Sequence, residues 1–423
     1  MGDLSMLAIA VERLRALWPE ARIGVIAGDP DLLGQHFETV TAVPSSGRRL
    51  WLEDPYLGLR LHERLPEAAA RRLRAGEHSL RRRRPGLVRT AIRARRGLRG
   101  RGTAELDDFL QWVSDSDLLV VSGAGALTDP FAPYAMTVLD LLDAVTAKAT
   151  PTAMFGQGVG PLTDPWLLER CRAVLPRVDL IALREDLAGR PILRSLGVAE
   201  ERIVTTGDDA VELAFRARTE PPSGHGLGVS LRVARYANFH GPALRPVEDA
   251  LRRAAAAFAA PLVPVPISHQ PNEQDAEVIA RLLPESDALP SAGLSAPLAV
   301  IEQVRRCRVV VTGSYHAAVF ALAQGIPAVG LAASEYYVDK FLGLADQFGG
   351  GCVLVTADEP ALLEQRLMLA IQEMWESADD LAPRLLEAAA RQVAQGRAAY
   401  RRLPGLLAAS RHEEEKPDAR LTA

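Results

Sequence analysis

Cysteine is scarce in this sequence. Three residues of 423, Cys171, Cys307 and Cys352, are too few and too far apart for a disulfide framework or a structural zinc site, and they suit a reducing, cytoplasmic compartment. Long apolar runs are lacking too. The longest, Val309 to Ala333, is interrupted by His316, Gln324, Gly325 and Pro327, so no membrane span is expected, and no signal-peptide pattern opens the chain. Basic charge is not in excess. With 53 acidic against 49 basic residues the net charge is −4 and the pI near 6.1, which excludes a generally basic nucleic-acid-binding protein. No pair of His, Asp or Glu has metal-ligand spacing, so no metal is expected. What is present, 48% hydrophobic and 24% charged residues over this length, is enough for two globular domains with a substantial core.

The most informative stretch is Arg308 to Leu331, RVVVTGSYHAAVFALAQGIPAVGL. A β-branched run is broken at Gly313-Ser314, an Ala-rich apolar helix follows from Tyr315 to Gln324, and Gly325 stops it before a second strand. A strand that turns through Gly-Ser into a helix aims the free N–H groups of the first helical turn beyond the strand's carboxyl edge, where an anion is favoured. Ser314, Tyr315 and His316 occupy that turn. The same layout recurs earlier in the chain. Asp117 to Val121 reads as a strand running into SGAGALTD, with Gly123, Gly125 and Asp129; Pro151 to Phe155 reads as a strand running into GQGVGP, with Gln157, Gly158 and Gly160. Two glycine turns after successive strands lie on one edge of a parallel sheet and form a cleft. Asp179 to Leu183 is a further strand, and Arg184 at its end is costly to bury unless it meets a carboxylate or phosphate; Glu185 and Asp186 are the ordinary partners. Asp208, after the strand Arg202 to Thr205, reads as a site residue or a helix cap.

Strands alternating with helices predict a doubly wound α/β chain. The expected organisation is an N-terminal Rossmann-like domain over 1–217 with an Arg-rich insertion near 61–101, and a C-terminal Rossmann-like domain over 218–378. A helical segment over 379–410 and a disordered tail over 411–423 complete it. Arg216 to Gly226 is the linker, a place for hinge motion. In such a domain a strand is expected before the first helix, Leu4 to Trp18, and none is present; an upstream start is the expectation, absence of a central strand the alternative. In the second domain Arg232 and His269 fall at strand ends, and Tyr337 and Lys340 follow the strand after Gly325. Pro360 to Ala378 and Pro383 to Leu403 read as two helices, each opened by proline. Ten arginines fall from Arg81 to Arg101 with no acidic residue among them. A solvated helical hairpin is the plain reading; peripheral contact with anionic lipid or a lipid-linked acceptor is the sharper one.

With these motifs in view, the chain resembles the polysaccharide pyruvyl transferase family. The resemblance is carried by GDLSML, SGAGALTD, FGQGVGP, ALRED with LRSLGV, TGDDA, GVSLR, and TGSYHAAVFALAQGIPAVGL with YYVDKF, over Gly2 to about Val355. It implies two Rossmann-like domains facing a cleft, as in GT-B enzymes. The implied reaction is transfer of the pyruvyl group of phosphoenolpyruvate to a saccharide diol as a ketal, in polysaccharide or glycoconjugate biosynthesis, with no cofactor beyond that donor and no nucleic-acid partner. By resemblance Arg184 holds the donor and His316 acts on it. Ser314 stands where many members have an arginine two residues before the histidine. Arg232, Arg308 or Lys340 are candidates to supply that charge; alternatively the branch has another donor or none. Gly123, Gly125, Asp129, Gln157, Gly158, Arg232, Ser314, Tyr315, Tyr337 and Lys340 are the expected binding residues. A sugar-nucleotide glycosyltransferase and a non-catalytic saccharide-binding homologue are the competing readings.

Overall fold

A computed structural model describes residues 1–54, 65–123, 125–231, 244–268, 275, 279–280 and 296–414. Arg232, His269 and residues 415–423 lie outside them. The apolar runs become parallel strands: β1 (Gly24–Ala27), β2 (Thr41–Pro44), β3 (Leu119–Ser122), β4 (Thr152–Gln157), β5 (Leu180–Leu183), β6 (Ile203–Thr205), β7 (Gly226–Ser230), β8 (Leu262–Pro264), β9 (Cys307–Thr312), β10 (Ala328–Ala332) and β11 (Cys352–Thr356); β1, β3, β4, β6 and β9 lead into glycine. Among the described residues they form three sheets: β1-β2, β3-β4-β5-β6, and β11-β10-β9-β7-β8. All pairings are parallel. β4 and β5 are buried throughout, as strands covered on both faces must be. In the last sheet the order reverses between β7 and β9. A crevice opens beyond the carboxyl ends of strands at such a switch point, and the Gly313-Ser314 turn leaves β9 there. The two larger sheets belong to two Rossmann-like halves that face one another across a cleft.

The first helix, Gly2–Leu17, buries Met6, Ile9 and Ala10. No described strand precedes it, and β1 and β3 are not paired with each other. The space beside them is an apolar cavity lined by Leu7, Leu14, Ile23, Val25, Leu118 and Val120, continuous with the cleft. The Tyr315–Ala323 helix is buried on nearly every side because the helix Ala210–Arg216 packs on it from the first half and its own sheet from the second.

The two proline-opened helices are one helix, Pro360–Tyr400, with Pro383 inside it. Proline removes one backbone donor, but this helix is held by side chains along its whole length. Leu363, Leu367 and Ile371 pack in the core of the last sheet, while Tyr400 packs in the core of the β3–β6 sheet and stacks on Phe155 at 3.7 Å between ring centroids. The tail read from Arg411 begins inside a further helix, Leu403–Glu414. A buried ion cluster joins the same elements. Glu212, 1% exposed, accepts from Arg13 Nη2 at 2.5 Å, from Arg397 Nε at 3.0 Å and from Arg216. Arg13 also reaches Asp209 at 2.6 Å. Glu212→Gln leaves these guanidinium groups short of a counter-charge, and we expect it to cost about 3 kcal/mol in chemical denaturation. Because the arginines hold the Glu212 pKa below its ordinary value against the opposing pull of burial, the stabilisation is present at neutral pH and lost as pH falls below about 4.3.

The arginine run forms two helices, Glu67–Arg83 and Pro85–Gly97. Counter-charges missing from the run come from elsewhere in the chain. Asp107 accepts from Arg89 Nη2 at 2.9 Å and Arg93 Nη2 at 2.8 Å, and Asp143 lies 3.7 Å from Arg82.

Candidate active site

Arg184 leaves the end of β5 with its N–H donating to Gln157 O at 3.0 Å. Its side chain is 4% exposed, and its Cζ lies 4.3 Å from the centre of the Tyr315 ring. Neither adjacent carboxylate pairs with it. Glu185 accepts from Ala188 N at 2.9 Å and Gly189 N at 3.0 Å, while Asp186 takes Arg190 Nε at 2.6 Å and Thr205 Oγ1 at 2.5 Å. No described carboxylate lies within ion-pair distance of Arg184, so a buried guanidinium faces the cavity with its charge uncompensated by direct contact. Burial in that state is costly, and a bound anion would relieve it. The glycine turns make the space: a Cβ on Gly158 would lie 2.3 Å from Arg184 Nη2, and one on Gly125 would lie 2.6 Å from it. Gly158→Ala is therefore expected to leave the fold intact, displace the guanidinium and weaken anion binding at least tenfold, read by titration calorimetry.

Tyr336 and Lys340 come from one face of the helix Glu335–Phe348. Lys340 Nζ donates to Tyr336 Oη and lies 3.8 Å from that ring's centre, and Tyr336 Oη donates to Gly125 O at 3.4 Å. Lys340 is one of three lysines in the chain and, with Arg184, lines the cavity. Tyr337, buried, stands edge-on to Tyr336 at 5.4 Å. Burial pushes the Tyr315 phenol pKa up, so it stays a neutral donor at physiological pH.

His316, in the first turn of its helix, crosses the domain boundary. Its Nε2 lies 3.6 Å from Asp208 Oδ2, within ion-pair reach, and neither atom has a hydrogen-bond partner among the described residues. Asp208 Oδ1 takes the N–H of Ala210 at 2.8 Å. Burial works to raise the Asp208 pKa, but His316, the charge of Arg184 and this N–H outweigh it and leave the carboxyl below its ordinary range. The other side of the imidazole rests on the start of the first helix, where a Cβ on Gly2 would lie 2.1 Å from Nδ1. Only glycine fits there. The helix N-terminus, an imidazole and two cations thus border one cavity of about 1900 Å³.

Gly125, Arg184, Ser314, Tyr315, His316, Tyr337 and Lys340 all line that cavity. Gly158 lies directly behind Arg184. Gly123 (φ +70°) packs on Met6, and Gln157 Nε2 donates to Gly123 O and Phe155 O, both at 2.8 Å, so this amide pins the two glycine turns together. Asp129 takes Thr163 N at 2.7 Å and Thr163 Oγ1 at 2.6 Å, holding the turn after Pro161. Arg308 donates to Asp379 at 2.8 Å and Trp375 O at 3.1 Å, so it does not supply the cleft with charge. Sequence reasoning missed Tyr336 and Gly2 as site residues and left Asp208 between site and cap. The Asp-Asp pair at a strand end was the available signal, and the structure gives the first Asp to His316 and the second to Arg13.

No curated protein matches the chain. In fold it is similar to the UDP-GlcNAc 2-epimerase from Neisseria meningitidis solved with UDP-GlcNAc bound, at TM-score 0.53 and 14% identity over 96% of each chain. It is also similar to the glycotransferase of kitacinnamycin, at TM-score 0.51 and 14% identity over 94% of this chain and 95% of the other. Both likenesses are to the two-domain GT-B architecture. The family model described as polysaccharide pyruvyl transferase matches residues 1–335, a span that holds Arg184, Asp208, Ser314 and His316, and the chain therefore belongs to the polysaccharide pyruvyl transferase family.

Proposed function

We propose that this protein transfers the pyruvyl group of phosphoenolpyruvate to two hydroxyls of a saccharide, forming a ketal and releasing inorganic phosphate. The observation that carries the reading is Arg184, a buried guanidinium with no described carboxylate partner, stacked on Tyr315 and set beside the same cavity as Lys340. Phosphoenolpyruvate brings two anionic groups to two cations. A bidentate guanidinium suits the carboxylate or phosphate, and an ammonium suits the other as a point charge. Lys340 takes the part that Ser314, lacking charge, does not.

The reaction needs a proton delivered to the methylene carbon, a sugar hydroxyl added to the central carbon, departure of phosphate, and addition of the second hydroxyl; of the two hydroxyl protons lost, one balances the proton gained by the methylene carbon and the other leaves on phosphate. His316 is the residue of suitable chemistry to move one of these protons, with Asp208 orienting the ring. No cofactor enters this scheme. The acceptor is a saccharide, free or lipid-linked, and the compartment is the cytoplasm, in keeping with three buried free thiols. Titration calorimetry with phosphoenolpyruvate and, separately, UDP-GlcNAc tests the reading. Binding of the first supports it; binding of the sugar nucleotide alone transfers the protein to glycosyl chemistry.

A further inference from the structure

The helix Pro85–Gly97 has two apolar faces where a surface helix needs one. Val88 and Ile92 are each 1% exposed and anchor it to the body of the domain. A second row, Leu87, Ala91, Ala94 and Leu98, points to solvent, with Leu87 64% and Leu98 90% exposed. At 3.6 residues per turn these four positions fall within a wedge of about 60°. Leu98 keeps helical backbone angles, so the row runs unbroken to the helix end. Arginines bracket it. Arg83 and Arg84 precede the row and Arg99 and Arg101 follow it, all exposed, and their side chains make no hydrogen bond or ion pair with any described residue. Arg82, Arg89 and Arg93 have Asp143 and Asp107; these four have none.

We propose that this helix is a docking surface for an anionic lipid bilayer, lying in the plane of the interface with Leu87 and Leu98 inserted and the arginines on the headgroups. The charge is complementary to anionic lipid, and the apolar row is what a soluble polyanion would leave unused. No helix of the described residues is long and apolar enough to cross a membrane, so the contact is peripheral. The inference does not depend on the ketal-transfer reading, although it puts the protein at the surface where a lipid-linked saccharide would be.

Sedimentation of the full chain with phosphatidylserine-containing vesicles, against pure phosphatidylcholine vesicles, tests it, with retention on heparin as the measure of charge alone. The expected result is binding to the anionic vesicles only, weakened by salt. Reversal of Arg83, Arg84, Arg99 and Arg101 to Glu should reduce it by at least fivefold per arginine, about the effect of one basic residue near such a surface. Leu87→Ser with Leu98→Ser, which leaves the charge unaltered, should reduce vesicle binding about tenfold or more while leaving heparin retention and melting temperature unchanged. Failure of the wild type to bind anionic vesicles overturns the proposal. Vesicle binding that survives the leucine changes overturns it as well, since the arginines alone would then account for the attraction and no insertion would take place.

Discussion

Arg184→Ala is expected to abolish detectable phosphoenolpyruvate binding and to lower kcat/KM about a thousandfold. The magnitude follows from two charge-assisted hydrogen bonds lost from a dry site, on the order of 4 kcal/mol in all. Its fold should persist, since no described group relies on this guanidinium for an ion pair. Arg184→Lys is expected to rescue little. A lysine end group is a compact point charge without the planar fork, and the Tyr315 ring beneath presents a flat face that a guanidinium stacks on better. Retention of donor affinity by Arg184→Ala would sink the assignment, because no other described cation is buried so completely beside the cavity.

His316→Ala should act differently. A proton-transfer group contributes roughly 10²- to 10⁴-fold to turnover, so kcat should fall by that order while donor affinity changes little. Asp208→Asn tests the positioning role. At 3.6 Å from Nε2 the carboxylate holds the ring loosely, and a loss on the order of tenfold to a hundredfold in kcat is expected, with a shift of the pH–rate profile that a purely structural residue would not cause. Since the Asp208 pKa lies below the ordinary carboxylate value, its charge persists down to about pH 3.9 and below, so the acid limb of that profile reports another group. Equal losses in affinity and turnover for His316→Ala would remove it from the chemistry.

Much of this site was legible beforehand for a definite reason. Strand periodicity followed by glycine marks the carboxyl edge of a parallel sheet, and residues at such edges converge whatever their separation along the chain. Tyr315 and His316 stand out in the Gly313-Ser314 turn, Arg184 and Lys340 as charges after a strand, and the family resemblance supplies the roles of Arg184 and His316. What was not legible is the direction of side chains on buried strands and turns. Gln157 sits at a strand end like Arg184, yet folds back to bind the carbonyls of Gly123 and Phe155. Arg308 lies at the opposite end of its strand from the cleft, where it meets Asp379. Pairing across long separations was likewise hidden: nothing near Arg13 names Glu212, and nothing in the arginine run names Asp107. Pro383 misled for the opposite reason, since its local rule is sound and tertiary packing overrode it.

The helix Pro360–Tyr400 has a mechanical consequence. Its first half is fixed to one sheet and its last turns to the other, so the cleft cannot widen or narrow without deforming it. An α-helix resists bending nearly uniformly except where its ladder of hydrogen bonds is interrupted. Here the interruption is Pro383, which leaves the Asp379 carbonyl without its intrahelical donor, but the turn is clamped on the second Rossmann-like half, with Ala382 and Leu386 against Gly325 and Leu385 against Gly351; the first half is met only later, where Gln392 lies on Gly207 and Gly396 on Arg13. The helix thus acts as a tie between the two halves, with its proline turn held fast on one of them. Any change in the aperture of the cleft therefore loads the regular helical turns beyond the proline, where the helix passes from one half to the other.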